Sequence, residues 1–253
     1  MKYLALFAIC LVTASTLSAQ AKKPQPPRRS KGEIAAINAL LTAQTPDDRI
    51  KASDELITKF ADTDFKPFAL YQEANAYELK NNHDKAIVYA EQAIAADPKN
   101  YDAMILIANV TAAQTKDTDL DMAEKLSRSE KMANDGLEIL KTAQKPTIVT
   151  MTDAQWAEAK SSSESLGWQA LGTIATVRKK TDEAVADFEK GLALSPDPVL
   201  MLRTGRALMQ AKKYDEAIGW FDKAAAFPDS SPQIKSIATS DKARATALKG
   251  QAK

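Results

Sequence analysis

The most constraining feature of this sequence is a pattern of small, apolar and proline positions that returns at nearly constant spacing. It occupies residues 67–98, 165–196 and 198–228. Its small and apolar members keep one order in the three copies: Ala74, Ala86 and Ala90, then Gly172, Ala184 and Phe188, then Gly205, Ala217 and Phe221. Self-similarity of this kind predicts stacked repeats, each of which buries its apolar face only against a neighbour.

The composition favours packed helices. Of the 253 residues 45 are alanine and only 8 are glycine, and alanine loses no side-chain entropy in a helix. The 34 basic residues nearly balance the 33 acidic ones, whereas a dedicated nucleic-acid binder usually has a basic excess. These numbers also argue against a disordered chain, a disulfide scaffold and a multi-pass membrane protein.

The three copies resemble the tetratricopeptide repeat, a helix–turn–helix unit of 34 residues with this order of large, small and proline positions. The resemblance rests on segments such as Trp168-x-x-Leu171-Gly172 and on the prolines that close two copies, Pro98 and Pro196. It implies an all-α, tetratricopeptide-like helical-hairpin solenoid. Small residues such as Gly172 would let the first helix of each repeat, helix A, approach the second, helix B.

Two further units are predicted in degenerate form, at residues 33–66 and 101–142. The first is an N-terminal cap, because Ala52 precedes Ala86 by 34 residues. The second begins with a helix A at 101–115. Residues 231–248 start with Ser-Pro and carry alternating charges, which predicts a polar C-terminal capping helix. The whole solenoid then spans residues 33–253.

The repeat register breaks in the middle of the chain, and the extra residues predict an elongated central helix pair. Apolar residues recur at helical spacing over 119–142, which is longer than an ordinary repeat helix. After a loop at 144–152, Asp153 is predicted to cap a second long helix that runs into the Trp168 repeat.

The first 19 residues have the order of a secretory signal, namely Lys2, an apolar run at 3–12 and a small-residue cleavage site. Cleavage fits after Ala19 or Ala21, and we expect it after Ala19, with export to the periplasm or the extracellular space and removal of the one cysteine, Cys10. The alternative is an uncleaved membrane anchor, although the apolar run is shorter than the roughly twenty residues of a full span. Residues 20–32 are predicted to form a basic, proline-rich, disordered tether.

No motif in the sequence predicts catalysis, a metal or a cofactor. His83, the one histidine, falls in a predicted turn and has no companion ligands. Asp117-x-Asp119-x-Asp121 resembles the start of a calcium loop, but Met122 and Arg128 stand where that loop needs glycine and glutamate. We therefore predict a protein that is not an enzyme, with no catalytic, cofactor-binding or metal-binding residues, no small-molecule substrate and no nucleic-acid partner.

The family resemblance implies a concave groove lined by helices A. The lining positions carried across are Tyr71, Asn75, Glu78, Ile105, Asn109, Gln169, Thr173, Leu202, Arg206 and Gln210. Asn75 and Asn109 match the asparagine with which family members hold a peptide backbone. The chaperone-binding subgroup needs lysines where this chain has Tyr71 and Ile105, so an acidic C-terminal tail is not the expected ligand. The competing interpretation is that several of these residues only pack between repeats.

The leading functional prediction is a non-enzymatic scaffold of the cell envelope that binds a protein or a peptide. The alternative is a structural subunit or assembly factor of an envelope complex, held by its convex faces and its long central helices.

Overall fold

The computed structural model describes residues 29–146 and 151–251. The predicted signal peptide with Cys10, residues 20–28 of the tether and residues 147–150 of the central loop lie outside the described residues. The described chain is all helix and contains no strand: α1 (Lys31–Thr42), α2 (Pro46–Lys59), α3 (Lys66–Leu79), α4 (His83–Ala96), α5 (Tyr101–Gln114), α6 (Met122–Thr142), α7 (Asp153–Val177), α8 (Thr181–Leu194), α9 (Pro198–Gln210), α10 (Tyr214–Ala226) and α11 (Pro232–Gln251).

Consecutive helices pack as antiparallel pairs, and each pair packs on the next. α3 packs on α4, α7 on α8, and α10 on both α9 and α11. The interior is accordingly a row of small clusters. One cluster joins Leu70 and Ala74 of α3 to Ala90 of α4 and Ile107 of α5. This arrangement is a solenoid, as predicted, because no helix pair could bury its apolar face without a neighbour.

The elongated central pair is present. α6 has 21 residues and α7 has 25, which makes α7 roughly 37 Å long at 1.5 Å per residue. α6 begins at Met122, later than the predicted 119, because the Asp119 carboxylate accepts the Lys116 backbone N–H at 3.1 Å and holds a turn there. α7 packs on α5, α6 and α8, so it belongs to both halves of the solenoid.

The prediction that Asp153 caps α7 is wrong by one residue. Thr152 is the N-cap, and its hydroxyl accepts the Gln155 backbone N–H at 3.2 Å. The Gln155 side chain accepts the Thr152 backbone N–H at 2.8 Å, which completes a capping box. Asp153 is the first helical residue, where its charge still favours the helix dipole.

Three helices A end in the same way, with a residue in the left-handed region that glycine normally occupies. These residues are Asn81, Lys179 and Lys212, with φ of 56°, 62° and 62°. The residue after each donates its backbone N–H to a carbonyl five residues earlier; one example is Lys213 to Leu208, at 2.9 Å. The tight turn between helices A and B thus recurs with the repeat and uses no glycine.

Candidate functional site

The first helices of successive pairs lie side by side and form one surface. α3 packs on α5, and α5 packs on α7. α9 packs on α8, the partner of α7, and the charge of Glu78 on α3 raises the pKa of the Arg203 guanidinium of α9. We call this surface the inner face and define it by Arg203 together with those of the ten predicted groove residues that are accessible.

Two of the ten predicted residues do not belong to any accessible site. Ile105 is 2% exposed and Leu202 is 4% exposed. Ile105 packs over Gly136 of α6, and Leu202 packs in the cluster that contains Phe221. For these two residues the competing interpretation, packing between helices, holds. The other eight are half-buried or exposed: Tyr71, Asn75, Glu78, Asn109, Gln169, Thr173, Arg206 and Gln210.

The structure brings Asn109 and Gln169 together, and both join α5 to α7. The Asn109 amide nitrogen donates to the Leu166 carbonyl at 2.9 Å and to the Ile105 carbonyl at 3.1 Å. The Gln169 amide nitrogen donates to the Asn109 side-chain oxygen at 3.3 Å. Since a side-chain amide has two N–H donors, Asn109 has none left for a ligand.

Asn75, the other asparagine predicted to hold a peptide backbone, differs from Asn109 in its hydrogen bonding. Asn75 of α3 is half-buried and makes no side-chain hydrogen bond to any other described residue. Its amide therefore keeps two donors and an acceptor for a peptide backbone.

The Tyr71 hydroxyl is influenced by the carboxylate of Asp102, a residue that the sequence analysis did not predict as part of the site. Burial raises the pKa of the Tyr71 hydroxyl, and the Asp102 carboxylate of α5 raises it further, so the phenol stays neutral. Asp102 accepts a hydrogen bond of 2.6 Å from the Ser163 hydroxyl of α7. Burial raises the pKa of Asp102, and the hydrogen bond from Ser163 opposes that shift. Residues of α3, α5 and α7 thus lie together at this end of the inner face.

Two charged residues of the inner face already have partners in the chain. The Glu78 carboxylate lies 2.7 Å from Nδ1 of His83, which is the first residue of α4 and not, as predicted, a turn residue. The Arg206 Nε donates to Asp241 of α11 at 2.6 Å. Glu78 and Arg206 are therefore engaged by contacts within the fold, and His83 has a structural role as the partner of Glu78.

Arg203 is the residue of this surface that sequence reasoning missed. It is half-buried and makes no hydrogen bond or ion pair with the rest of the described chain. Burial lowers the pKa of its guanidinium, Asp197 and Glu78 raise it, and Arg206 lowers it. A partly dehydrated guanidinium without a partner is suited to bind a carboxylate or phosphate through two parallel hydrogen bonds. Nothing in the local sequence distinguishes Arg203 from Arg206.

Two open clefts of about 590 and 580 Å³ lie beside the turns between helices A and B. Thr115 contributes to both clefts, His83 lines the first and Gln210 lines the second. The neighbouring aspartates do not converge on a common point. Asp117 pairs with Lys179 at 3.3 Å, and Asp119 and Asp121 both pair with Lys125. No group of three or more potential metal ligands occurs in residues 29–146 and 151–251.

None of the helices described is both long and apolar enough to cross a membrane.

Comparisons with known proteins agree with the fold. The tetratricopeptide repeat family matches residues 67–100 and 170–232. No curated protein matches the chain in sequence. The chain is similar in structure to a thermophilic tetratricopeptide repeat protein of Thermus thermophilus, TTC0263, with a TM-score of 0.58 and 13% identity over 82% of this chain and 95% of that one.

A weaker structural similarity is to the assembly chaperone of RpL4, Acl4 (residues 1–338). Its TM-score is 0.41, with 13% identity over 88% of this chain and 98% of that one.

Proposed function

Because the tetratricopeptide repeat family matches this chain at residues 67–100 and 170–232, we propose that it is a non-enzymatic scaffold of the cell envelope whose inner face binds a protein segment or a peptide. Proteins built from this repeat generally serve as interaction scaffolds. The polar character of the inner face supports the same role here.

The observation that carries the proposal is the pair of unengaged groups on opposite helices, Asn75 on α3 and Arg203 on α9. Asn75 matches the paired donors and acceptors of an extended backbone, while Arg203 offers a fork of donors to an acidic side chain. Tyr71 adds a flat apolar contact with few rotamers to immobilise. The ligand that these groups fit is an extended peptide with at least one carboxylate beside Arg203.

The test begins with the wild-type chain, used to capture a partner from an envelope fraction and to define its binding segment. Titration calorimetry then compares wild type with the double variant Asn75→Ala, Arg203→Gln. Because anchors of this kind each carry about 1–2 kcal/mol, we expect the affinity to fall about tenfold or more.

A matched control separates groove binding from a general change of charge. Asn38 of α1 and Arg244 of α11 are exposed residues of the same types, on helices that carry none of the inner-face residues. The variant Asn38→Ala, Arg244→Gln should bind like wild type. Unchanged affinity in a folded Asn75→Ala, Arg203→Gln variant would move the binding site off the inner face.

The second candidate is a structural subunit or assembly factor of an envelope complex. The hydrogen bonds of Asn109 and Arg206 within the chain favour this candidate. They leave the inner face with fewer side-chain donors for a ligand than the family pattern implies. A stoichiometric complex that resists competition by peptide supports this candidate, whereas a transient partner displaced by peptide supports the first.

The envelope setting rests on the order of residues 1–19, which is that of a secretory signal. We propose export to the periplasm or the extracellular space with cleavage after Ala19 or Ala21. The intact mass of protein from the native host should place Gln20 or Lys22 at the N-terminus. An intact chain from Met1 in washed membranes would support the uncleaved anchor instead.

A further inference from the structure

A buried carboxyl group without a full hydrogen bond lies inside the N-terminal part of the solenoid. Glu73 of α3 is 0% exposed. Neither of its carboxyl oxygens has a donor at full hydrogen-bond geometry among the described residues, and the Tyr89 hydroxyl of α4 approaches it only closely enough for a weak hydrogen bond. A buried carboxylate without a partner is strongly destabilising, so the neutral acid is the form that suits this environment.

Other helices A carry uncharged residues at the equivalent position. Glu73 directly precedes Ala74, and the corresponding residues before Ala108, Gly172 and Gly205 are Ile107, Leu171 and Thr204. Ile107 packs in the core, and the Thr204 hydroxyl donates to the Leu200 carbonyl at 2.9 Å. The repeat architecture therefore does not require a carboxyl group at this position.

The helices packed against α3 bring charges of both signs towards Glu73. Asp54 of α2 contributes a negative charge, while Lys85 and the Tyr89 hydroxyl lie on α4. Tyr77 of α3 stacks on Tyr89 with 5.3 Å between ring centroids, and the Lys85 ammonium lies 4.8 Å above the Tyr77 ring. The net result is a pKa of about 7 for Glu73: burial is the largest cause of the rise, a weak hydrogen bond from the Tyr89 hydroxyl opposes it, the Asp54 charge adds to it and the Lys85 charge opposes it.

We propose that Glu73 makes the α2–α3–α4 unit sensitive to pH, tightly packed while the carboxyl is neutral and locally loosened once it ionises. In the packed state the negative charge has only the weak donor of Tyr89 and no full hydrogen bond, so it is stabilised by admitting water between α3 and its neighbours. Tyr71 and Asn75 lie on α3 two residues to either side of Glu73. An effect on ligand affinity would rest on the proposed function, whereas the loosening itself does not.

The direction of the pH dependence follows from linkage. The pKa of Glu73 is 4.5 without burial and about 7 in the folded chain. The stability that the neutral form contributes is therefore fully present below pH 4.5 and is lost as the pH rises through about 7. Over that interval this one group increases the opening equilibrium constant by up to about 300-fold.

Hydrogen exchange on the full chain tests the proposal without a ligand. In wild type, protection factors of α3 and α4 amides should fall steeply between pH 5 and 8, while those of α9 and α10 serve as an internal reference. Glu73→Leu, the residue type found at Leu171, should abolish the steep fall. Glu73→Gln should do the same and is the closer match in shape.

Glu55 serves as the control, because its pKa is lowered where that of Glu73 is raised. Glu55 of α2 is exposed, and its hydrogen bond with Lys59 lowers its pKa, so Glu55→Gln should leave the fall in α3 unchanged. Equal pH dependence in wild type and Glu73→Leu would overturn the proposal. Should neither Glu73 variant fold, NMR titration of the wild-type carboxyl decides, since a midpoint below pH 5 also overturns it.

Discussion

A Cβ atom on Gly172 of α7 would lie 2.4 Å from the ring of Phe188 on α8, well inside van der Waals contact. The glycine therefore allows the ring to lie directly against the helix backbone. The next repeat has the same relationship, with 2.5 Å between a Cβ on Gly205 and the Phe221 ring. Both rings are buried, so the two glycines set how closely helices A and B approach.

Gly172→Ala should destabilise the chain by about 1–3 kcal/mol, because the Phe188 ring must move in a packed interior. Urea denaturation followed by circular dichroism measures this effect. Gly219 of α10 is the matched control, since nothing lies within 4 Å of a Cβ placed there. Gly219→Ala should stabilise by up to about 1 kcal/mol through helix propensity alone. Destabilisation by both variants would show that the Phe188 contact is not the cause.

Asn109→Ala should lower the free energy of unfolding by about 1 kcal/mol, because it removes the hydrogen bond from α5 to the Leu166 carbonyl of α7. Asn38→Ala on the exposed side of α1 should stay within about 0.5 kcal/mol of wild type. Thermal unfolding of both variants measures the difference. Equal stability of the two would mean that the bond between α5 and α7 contributes nothing net.

Lys212→Gly should stabilise the chain by up to about 1 kcal/mol, because φ of 62° puts the lysine in the region that a Cβ disfavours. Lys51→Gly provides the contrast. Lys51 is an exposed residue inside α2, and glycine there should cost about 1 kcal/mol. Chemical denaturation of the two variants should give shifts of opposite sign.

Ser163→Ala should raise the pKa of Asp102 further, because the hydroxyl that stabilises the carboxylate is lost. The folded pKa of Asp102 is already above its ordinary 3.8, so its stability contribution is complete below that pH and is lost as the pH rises through the folded value. The variant should therefore lose more stability at pH 7 than at pH 3. NMR titration gives the pKa, and an unchanged value would refute the role of Ser163.

The repeat pattern predicted the helices well because packing positions are encoded locally. Gly172 and Phe188 lie at spacings that only a helical hairpin brings together, and the long α6 and α7 followed from the broken register. The limits of helices were less predictable, since the Thr152 cap depends on a reciprocal bond with Gln155.

The inner face was predicted less completely, because burial there depends on neighbours distant in sequence. Ile105 is covered by α6, and Asn109 is engaged by α7 through residues on the far side of the central loop. Glu73 and Arg203 are charged residues on helices, a type that normally faces water. Glu73 is unusual because α2 and α4 pack on its helix and bury it, and Arg203 is unusual because it is half-buried on α9 without a hydrogen bond to another described residue.

The 25-residue α7 has a mechanical consequence. Because it packs on α5, α6 and α8 at once, pulling it out of the fold breaks three interfaces, whereas α1 is held mainly by α2 and α11 mainly by α10. Force applied to the two ends should peel off the terminal helices first and reach the α5–α8 segment last. In a single-molecule stretching trace, this segment would give the final and highest rupture.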